Sequence, residues 1–382
     1  MAEVTNYIDR LVAELCSDGV EYRPLGEIAD IGTGKSDKKD AQESGQYPFY
    51  VRSKTILRSS KYLYDETAIV IPGEGGVGEI FHFVSGKYDL HQRAYRVSFT
   101  VDEMNPKFGY YYISSFFKEY INRHAVEATV KSIRKPMLVK FEVPVPPLEV
   151  QEAIVEILDK FTNLEAELEA ELEARTLQYE YYRDSLFEAL DCPRVPLGSF
   201  TQYSKDRKKD DSTVSVYVGV ENLKSDFQGC APTESTNPGV VFQKGDILLG
   251  NIRPYLKKMW RADSDGVASP DVLVIRIRDE FSEKISSRYL YHLLASNEFV
   301  GYNVAHSRGG KMPRGNKAKI LEFEAPIPSL EEQQRIVDIL DRFDALTASL
   351  SEGLPAELAA RRSQYEYYRD QLLTFPRKGE NQ

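Results

Sequence analysis

A 19-residue segment that occurs twice limits this chain more than any other feature. VPVPPLEVQEAIVEILDKF at 143–161 matches APIPSLEEQQRIVDILDRF at 325–343 in 11 of 19 positions. The heptapeptide QYEYYRD then recurs unchanged at 178–184 and 364–370. Self-similarity in a fixed order marks a duplicated structural unit. Pro24-Leu25-Gly26 and Pro196-Leu197-Gly198 open the segments that lead to the two copies. The order is therefore domain, helix, domain, helix.

Each copy begins with proline-rich extended chain (Pro144, Pro146 and Pro147; Pro326 and Pro328), which cannot lie inside a helix and marks the exit from a domain. Apolar residues at three- and four-residue steps follow: Ile154, Leu158, Phe161, Leu164, Leu168 and Leu172, then Tyr179, Tyr182 and Leu186. In the second copy the stripe is Ile336, Leu340, Phe343, Leu346, Leu350, Leu354 and Leu358, then Tyr365, Tyr368 and Leu372. About 40 residues at about 1.5 Å each make a rod of about 60 Å. A rod with one narrow apolar stripe needs a partner of similar length, and the other copy is the obvious one. Chain direction makes that pair antiparallel and brings the two ends of the chain together. A helix with Tyr7, Leu11 and Leu15 on its inner face is expected near the amino terminus, as the displaced tail of a further copy. The second copy is one helical turn longer, with Gly353 and Pro355 in the extra turn, so a break is expected there and none in the first helix. LEAELEAELEA at 164–174 repeats in tetrads, and its glutamates form a solvated face.

The resulting division is an amino-terminal helix (1–19), a first recognition-type domain (20–145), a central helix (146–191), a second domain (192–325), a carboxy-terminal helix (326–376) and a tail (377–382). Both domains mix short β-rich runs with one helix near the end. The runs are Ala68–Ile71, Gly78–Val84 and Tyr95–Val101 in the first, and Val214–Val220, Asp246–Leu249 and Val272–Ile277 in the second. The helices are Phe108–Asn122 and Ile285–Phe299. The fold class is thus α/β (α+β), in two copies separated by two long helices forming an antiparallel coiled coil, a cyclic pseudo-two-fold arrangement.

With 382 residues and 42% hydrophobic content, the chain has enough apolar material for two cores. The net charge of −10 is unevenly spread. Residues 146–192 carry 3 basic against 13 acidic residues, whereas 20–145 carry 18 against 16 and 193–325 carry 20 against 16. Both domains are therefore mildly basic, as a phosphate-binding surface requires. No apolar run is long enough to span a bilayer and the first residues do not read as a signal peptide, so no membrane association and a cytoplasmic location are expected. Cys16, Cys192 and Cys230 are scattered and read as unpaired thiols.

Catalytic motifs do not survive inspection. Gly73, Gly75 and Gly78 form a dinucleotide-like G-x-G-x-x-G, but the following EIFHFV is strand-like, so no helix terminus faces a phosphate and a hairpin turn is expected. Gly34-Lys35-Ser36 lacks the glycine of a phosphate-binding loop. Asn237-Pro238-Gly239-Val240 is not a methyltransferase tetrapeptide. Pro270-Asp271 lacks the residues that would complete a nuclease site, and the five histidines show no metal spacing. What remains is cations interleaved with polar, aromatic and glycine residues, suited to a phosphate backbone. In the first domain these are Arg52, Lys54, Arg58, Lys61 and Arg93, with Arg96 nearby, then Lys131, Arg134 and Lys135. In the second they are Arg207, Lys208 and Lys209, then Arg253, Lys257 and Lys258, then Arg308, Lys311, Arg314 and Lys317. A basic loop stands just upstream of both proline-rich exits.

The repeated PPLEVQ and PSLEEQ helix starts, in this domain order, resemble the specificity subunit of type I restriction-modification systems over essentially the whole chain. The resemblance implies a non-catalytic, sequence-specific subunit in which each domain reads half of a split, asymmetric site in double-stranded DNA and the paired helices act as a ruler. It further implies two methyltransferase subunits on the helices and restriction/translocase subunits joining them. S-adenosylmethionine, ATP and magnesium would be bound by those partners and no cofactor by this chain. Near-identical helices beside diverged domains fit like partners facing unlike half-sites. Tyr179, Tyr182 and Arg183, with Tyr365, Tyr368 and Arg369, are thus expected at or beside the methyltransferase-binding faces. The alternatives are the specificity subunit of a related restriction system and a coiled-coil adaptor that does not touch DNA.

Overall fold

A computed structural model of the chain describes residues 2–123, 132–209, 213–347 and 354–379. It forms two compact units, Met1–Glu165 with Arg361–Gln382, and Ala166–Ala360. Helices of nine or more residues are numbered α1 (Ala2–Leu15), α2 (Pro106–Arg123), α3 (Leu148–Glu188), α4 (Ser287–Ala295), α5 (Asn297–Ala305), α6 (Leu330–Thr347) and α7 (Leu354–Leu372). None of the described helices is long and apolar enough to cross a membrane. The three cysteines are free.

The first unit holds a six-stranded sheet in the order Ala29–Thr33, Ala94–Phe99, Tyr64–Pro72, His82–Leu90, Tyr47–Tyr50, Leu57–Ser59. Neighbours are antiparallel except Tyr47–Tyr50 beside His82–Leu90. Strand two of the sequence reading begins at His82 instead of Gly78, because Gly75, Gly76 and Gly78 adopt positive φ and turn the chain first. A strand therefore follows these glycines, as the hairpin reading required. Helix α2 lies against this sheet, and one core joins Ile69, Val97, Phe108 and Phe117 to Ile8 and Leu11 of α1 and to Leu373 and Phe375 of the tail. The buried face of α1 is Ile8 and Leu11; Tyr7 and Leu15 are exposed, a correction of the expected stripe. Val20 and Arg377 bridge in parallel, so both ends of the chain lie in this unit.

The second unit holds a four-stranded sheet (Thr201–Tyr203, Val272–Ile277, Ile247–Gly250, Met259–Arg261) and a five-stranded one (Arg207–Lys208, Gly239–Phe242, Gly266–Ala268, Ser215–Val218, Thr233–Ser235). The helix expected over 285–299 is two helices. Ser296 leaves the helical conformation between them and caps α5 by accepting from the Phe299 amide.

In each unit the opening and closing strands of the domain pair antiparallel, Tyr22–Pro24 with Glu142–Pro144 and Arg194–Pro196 with Glu324–Pro326. The next residue repeats the same bond, Leu25 N to Phe141 O and Leu197 N to Phe323 O, both 2.8 Å. A buried glutamine then fixes each exit helix to its domain. Gln151 accepts from Asn105 N and donates to Glu103 O and Pro146 O, while Gln333 accepts from Ser286 N and donates to Lys284 O and Pro328 O. The glutamine of the repeat thus satisfies backbone groups that burial would otherwise leave unpaired.

Helix α3 is unbroken over 41 residues. The break expected around Gly353 falls outside the described residues; α7 opens at Leu354 with Pro355 in its first turn, where proline is tolerated. In the first unit α3 and α7 run antiparallel, with Phe161 packed on Tyr365 and Tyr368 and Glu165 paired to Arg362. In the second, Tyr179 and Tyr182 of α3 pack on Phe343 of α6. The tyrosines of each copy therefore cover the phenylalanine of the other.

Candidate nucleic-acid interface

The central strand of each domain ends at a common backbone junction. Gly73 donates its amide to Arg93 O (2.8 Å) and accepts from Ile133 N (2.8 Å). Asn251 donates to Asp271 O (2.9 Å) and accepts from Gly315 N (3.0 Å). Three segments meet in the same way in two domains whose sequences scarcely align: the loop after the central strand, the start of the next antiparallel strand, and the basic loop before the exit helix. A side chain at Gly73 would meet Arg93 O at 2.8 Å, so the close approach needs glycine there.

In the first domain the junction gathers Arg52 and Arg93, both bonded to Glu74 at 3.0 and 2.9 Å. Hydrogen bonds from Arg93 and Arg52 hold the Glu74 carboxyl below the usual carboxylate range. Lys54 faces Glu79 of the same glycine loop, and exposed Arg134 and Lys135 follow Ile133. Arg58 is engaged by Gly45 O and Gln46 O on the edge strand, and exposed Lys61 follows that strand. Arg96 is interior, paired with Asp30 and Glu66 beneath the Tyr64 ring. Lys131 lies outside the described residues.

In the second domain the segments carrying Arg253, Lys257 and Lys258 and carrying Arg308, Lys311, Arg314 and Lys317 come together. Arg253 N donates to Pro313 O, Ile252 bridges Arg314, and Arg314 pairs with Asp271 at 3.2 Å. Arg253 and Lys257 both have positive φ, a conformation that costs about 1 kcal/mol or more per non-glycine residue and concentrates at working sites. Lys257 pairs with Glu180 and Lys258 donates to Val220 O. Lys208 is tied to Thr213 O and Ser215 Oγ, and with exposed Lys209 it lies on the five-stranded sheet's Arg207–Lys208 strand and the residue after it.

The six residues expected at partner-binding faces separate. Arg183 is only 1% exposed, set over the Tyr179 ring and beside Asp184, so its charge is enclosed within the chain. Arg369 stacks likewise on Tyr365 and bonds Asp370, with partial exposure. Tyr179, Tyr365 and Tyr368 are half-buried in the clamps on Phe343 and Phe161. Tyr182 is exposed, and the unpredicted Tyr181 beside it and Tyr367 beside Tyr368 are more so.

The histidines are not all isolated. His292 sits with Asp341 on Nε2 (2.8 Å) and Asp344 near Nδ1 (3.9 Å), with Arg288 also on Asp341 at 2.7 Å. Ligand atoms of these three residues lie within 4.8 Å of one another. The two carboxylates, however, face different ring nitrogens, so one ion cannot take both through the imidazole. The first unit shows what the cluster does: there Asp159 holds Lys107 (2.7 Å) and Tyr111 (2.5 Å), with Thr162 alongside. An aspartate of the repeat thus clamps a domain helix, α2 in one unit and α4 in the other, through a cation and a ring. Burial would raise the Asp341 carboxyl, but hydrogen bonds from His292 and Arg288 outweigh it and hold the group below its ordinary value. A depressed folded pKa gives stability that is complete above the unfolded value of about 4 and is lost as pH falls through the folded one. Asp341→Asn should therefore cost about 2 kcal/mol at neutral pH, a penalty that fades in unfolding titrations below about pH 4. A penalty that does not change with pH would contradict this.

A chain with two diverged α/β domains, each presenting arginines and a glycine-bearing loop at the same junction, and joined by duplicated helices, belongs to the class of modular nucleic-acid readers. The profile of the family described as "Type I restriction modification DNA specificity domain" matches residues 17–174 and 199–360, and the chain belongs to that family. It is 30% identical over 409 residues to the EcoR124I/EcoR124II specificity subunit of Escherichia coli, covering 99% of this chain and 98% of the relative. A putative type I specificity subunit of Haemophilus influenzae is 28% identical, covering 93% and 96%. The fold is shared with the S subunit of a type I restriction-modification system from M. genitalium (TM-score 0.58, 16% identity, 93% and 96% covered). A chain from a study of type I complex assembly and conformational transition gives TM-score 0.60 at 15% identity, with 93% and 97% covered. The chain is thus a type I specificity subunit with a DNA-recognition role.

Proposed function

We propose that this chain reads a bipartite, asymmetric site in double-stranded DNA, one half per domain, and carries no catalysis of its own. The observation that carries the reading is the shared junction furnished with different side chains: Glu74, Arg52 and Arg93 in one domain, Asp271 and Arg314 in the other. One backbone construction with unlike residues suits two readers of unlike sequences. Two methyltransferase subunits would dock on the repeated helices, around exposed Tyr181 and Tyr182 and around Tyr367, and restriction/translocase subunits would join for cleavage. S-adenosylmethionine, ATP and magnesium would be held by those partners, in the cytoplasm.

The linker between the half-site readers is the single helix α3, so its length is counted in turns. Inserting one further Leu-Glu-Ala-Glu tetrad within 164–174 lengthens it by about 6 Å. With duplex steps of about 3.4 Å per base pair, the gap between half-sites should grow by about one or two base pairs while both half-sites stay the same. Mapping the bases modified by the assembled complex reads this directly. An unchanged gap, or altered half-sites, would refute the proposal.

A further inference from the structure

The junction carries the same pair of groups in both domains, reached from different places in the chain. In the first domain the acid (Glu74) is on the loop after the central strand and an arginine (Arg93) immediately precedes the neighbouring antiparallel strand. In the second the acid (Asp271) precedes that strand and the arginine (Arg314) comes from the loop before the exit helix. An acid–arginine pair built from non-equivalent positions, and with a different acid in each domain, is not explained by duplication alone. Stability does not explain it either. Side-chain exposure is 56% for Arg93, 59% for Arg314, 37% for Glu74 and 43% for Asp271, and ion pairs so exposed contribute only about 0–1 kcal/mol.

We propose that Arg93 and Arg314 are the base-reading residues of their respective domains, each directed at a guanine, with Glu74 and Asp271 as positioning residues. The proposal rests on the DNA-reading role given above and assigns its specificity to two side chains. A guanidinium has five donors in a rigid fork, and the fork matches O6 and N7 of guanine in the major groove. The carboxylate engages one nitrogen, Nη1 of Arg93 and Nη2 of Arg314, so further donors of the fork can meet a base. An arginine already held in place loses less side-chain freedom on binding than a loose one, which raises the discrimination it delivers. Arg52 donates to the same Glu74 oxygen, Oε2, as Arg93 and so helps to hold that acid in place. The exposed lysines Lys61, after the edge strand of one domain, and Lys311, on the basic loop of the other, are compact point charges suited to phosphates and carry no sequence information.

The test uses the full chain assembled with its methyltransferase subunits and a library of randomised duplex DNA, with bound sequences read out. For the unaltered complex a two-part motif is expected. Arg93→Ala should relax one guanine position in one half-site, and Arg314→Ala one guanine position in the other half-site. At each, the preference for guanine should fall tenfold or more, the scale of one two-pronged contact. Glu74→Gln should relax the same position as Arg93→Ala, which a merely structural role would not do. Lys61→Ala and Lys311→Ala should weaken all duplexes alike and shallow the salt dependence. If Arg93→Ala and Arg314→Ala instead weaken every sequence uniformly, or leave the motif intact, the assignment is overturned while the DNA-reading role stands. If the unaltered complex enriches no motif at all, the role itself is overturned and the assignment with it.

Discussion

A chain ending at Ala360 is expected to lose the cooperative fold of its first unit while keeping that of the second. The removed segment supplies Leu372, Leu373 and Phe375, all less than a tenth exposed, to a core otherwise made by residues before 166. Three such side chains at about 1.5–3 kcal/mol each amount to about 5–9 kcal/mol. That equals much of the total stability of an ordinary domain, about 5–15 kcal/mol. Tyr365 and Tyr368, which cover Phe161, go as well. None of residues 361–382 belongs to the buried core clusters of the second unit. In limited proteolysis, residues up to Glu165 should become rapidly degraded and a fragment within 166–360 should persist. Equal resistance of both halves would show that the tail is an accessory to the first core and not a part of it.

Replacing either repeat glutamine by alanine should be nearly as damaging, one unit at a time. Gln151 and Gln333 are fully buried and each closes three hydrogen bonds to backbone groups of its own domain exit. Alanine leaves those three groups buried and unpaired at about 1–3 kcal/mol each, so a loss of about 3–4 kcal/mol per substitution is expected from the lower end of that range. For units of this size that lowers the midpoint of thermal unfolding by roughly 6–16 °C. Glutamate is no remedy, because a carboxylate can accept from Asn105 N or Ser286 N but cannot donate to the two carbonyls. A change below about 1 kcal/mol in denaturant titrations would mean that water replaces the amide at little cost.

The duplicated elements were legible in the sequence because they are written there as identities and as a helical stripe, and Ile154, Leu158, Ile336 and Leu340 are buried as that stripe demands. A signal for the glutamines was also present, since both copies place Gln at the same point of a helix start. The function of Gln151 and Gln333 was not readable, because their partners are backbone atoms about 50 residues away with no sequence signature. The crossing of tyrosines from one copy onto the phenylalanine of the other was equally hidden, since periodicity gives a face and not the occupant of that face. Arg183 shows the limit for charge: a charged residue type suggests surface, whereas this side chain is only 1% exposed. In the candidate interface the basic segments were visible, but their convergence on Gly73 and Asn251 depends on hydrogen bonds between segments far apart in the chain. His292, Asp341 and Asp344 are likewise brought together only by packing of α4 on α6.

The central claim is that one chain carries two independent readers of one divided site. The most direct measurement is to produce the chain with the methyltransferase subunits proposed as its partners in a host lacking other DNA modification and to map every modified base in the genome. Modified positions should all fall within one asymmetric motif of two short defined segments separated by a gap of constant length and free sequence. A single uninterrupted motif, or modification scattered without a motif, would contradict the account.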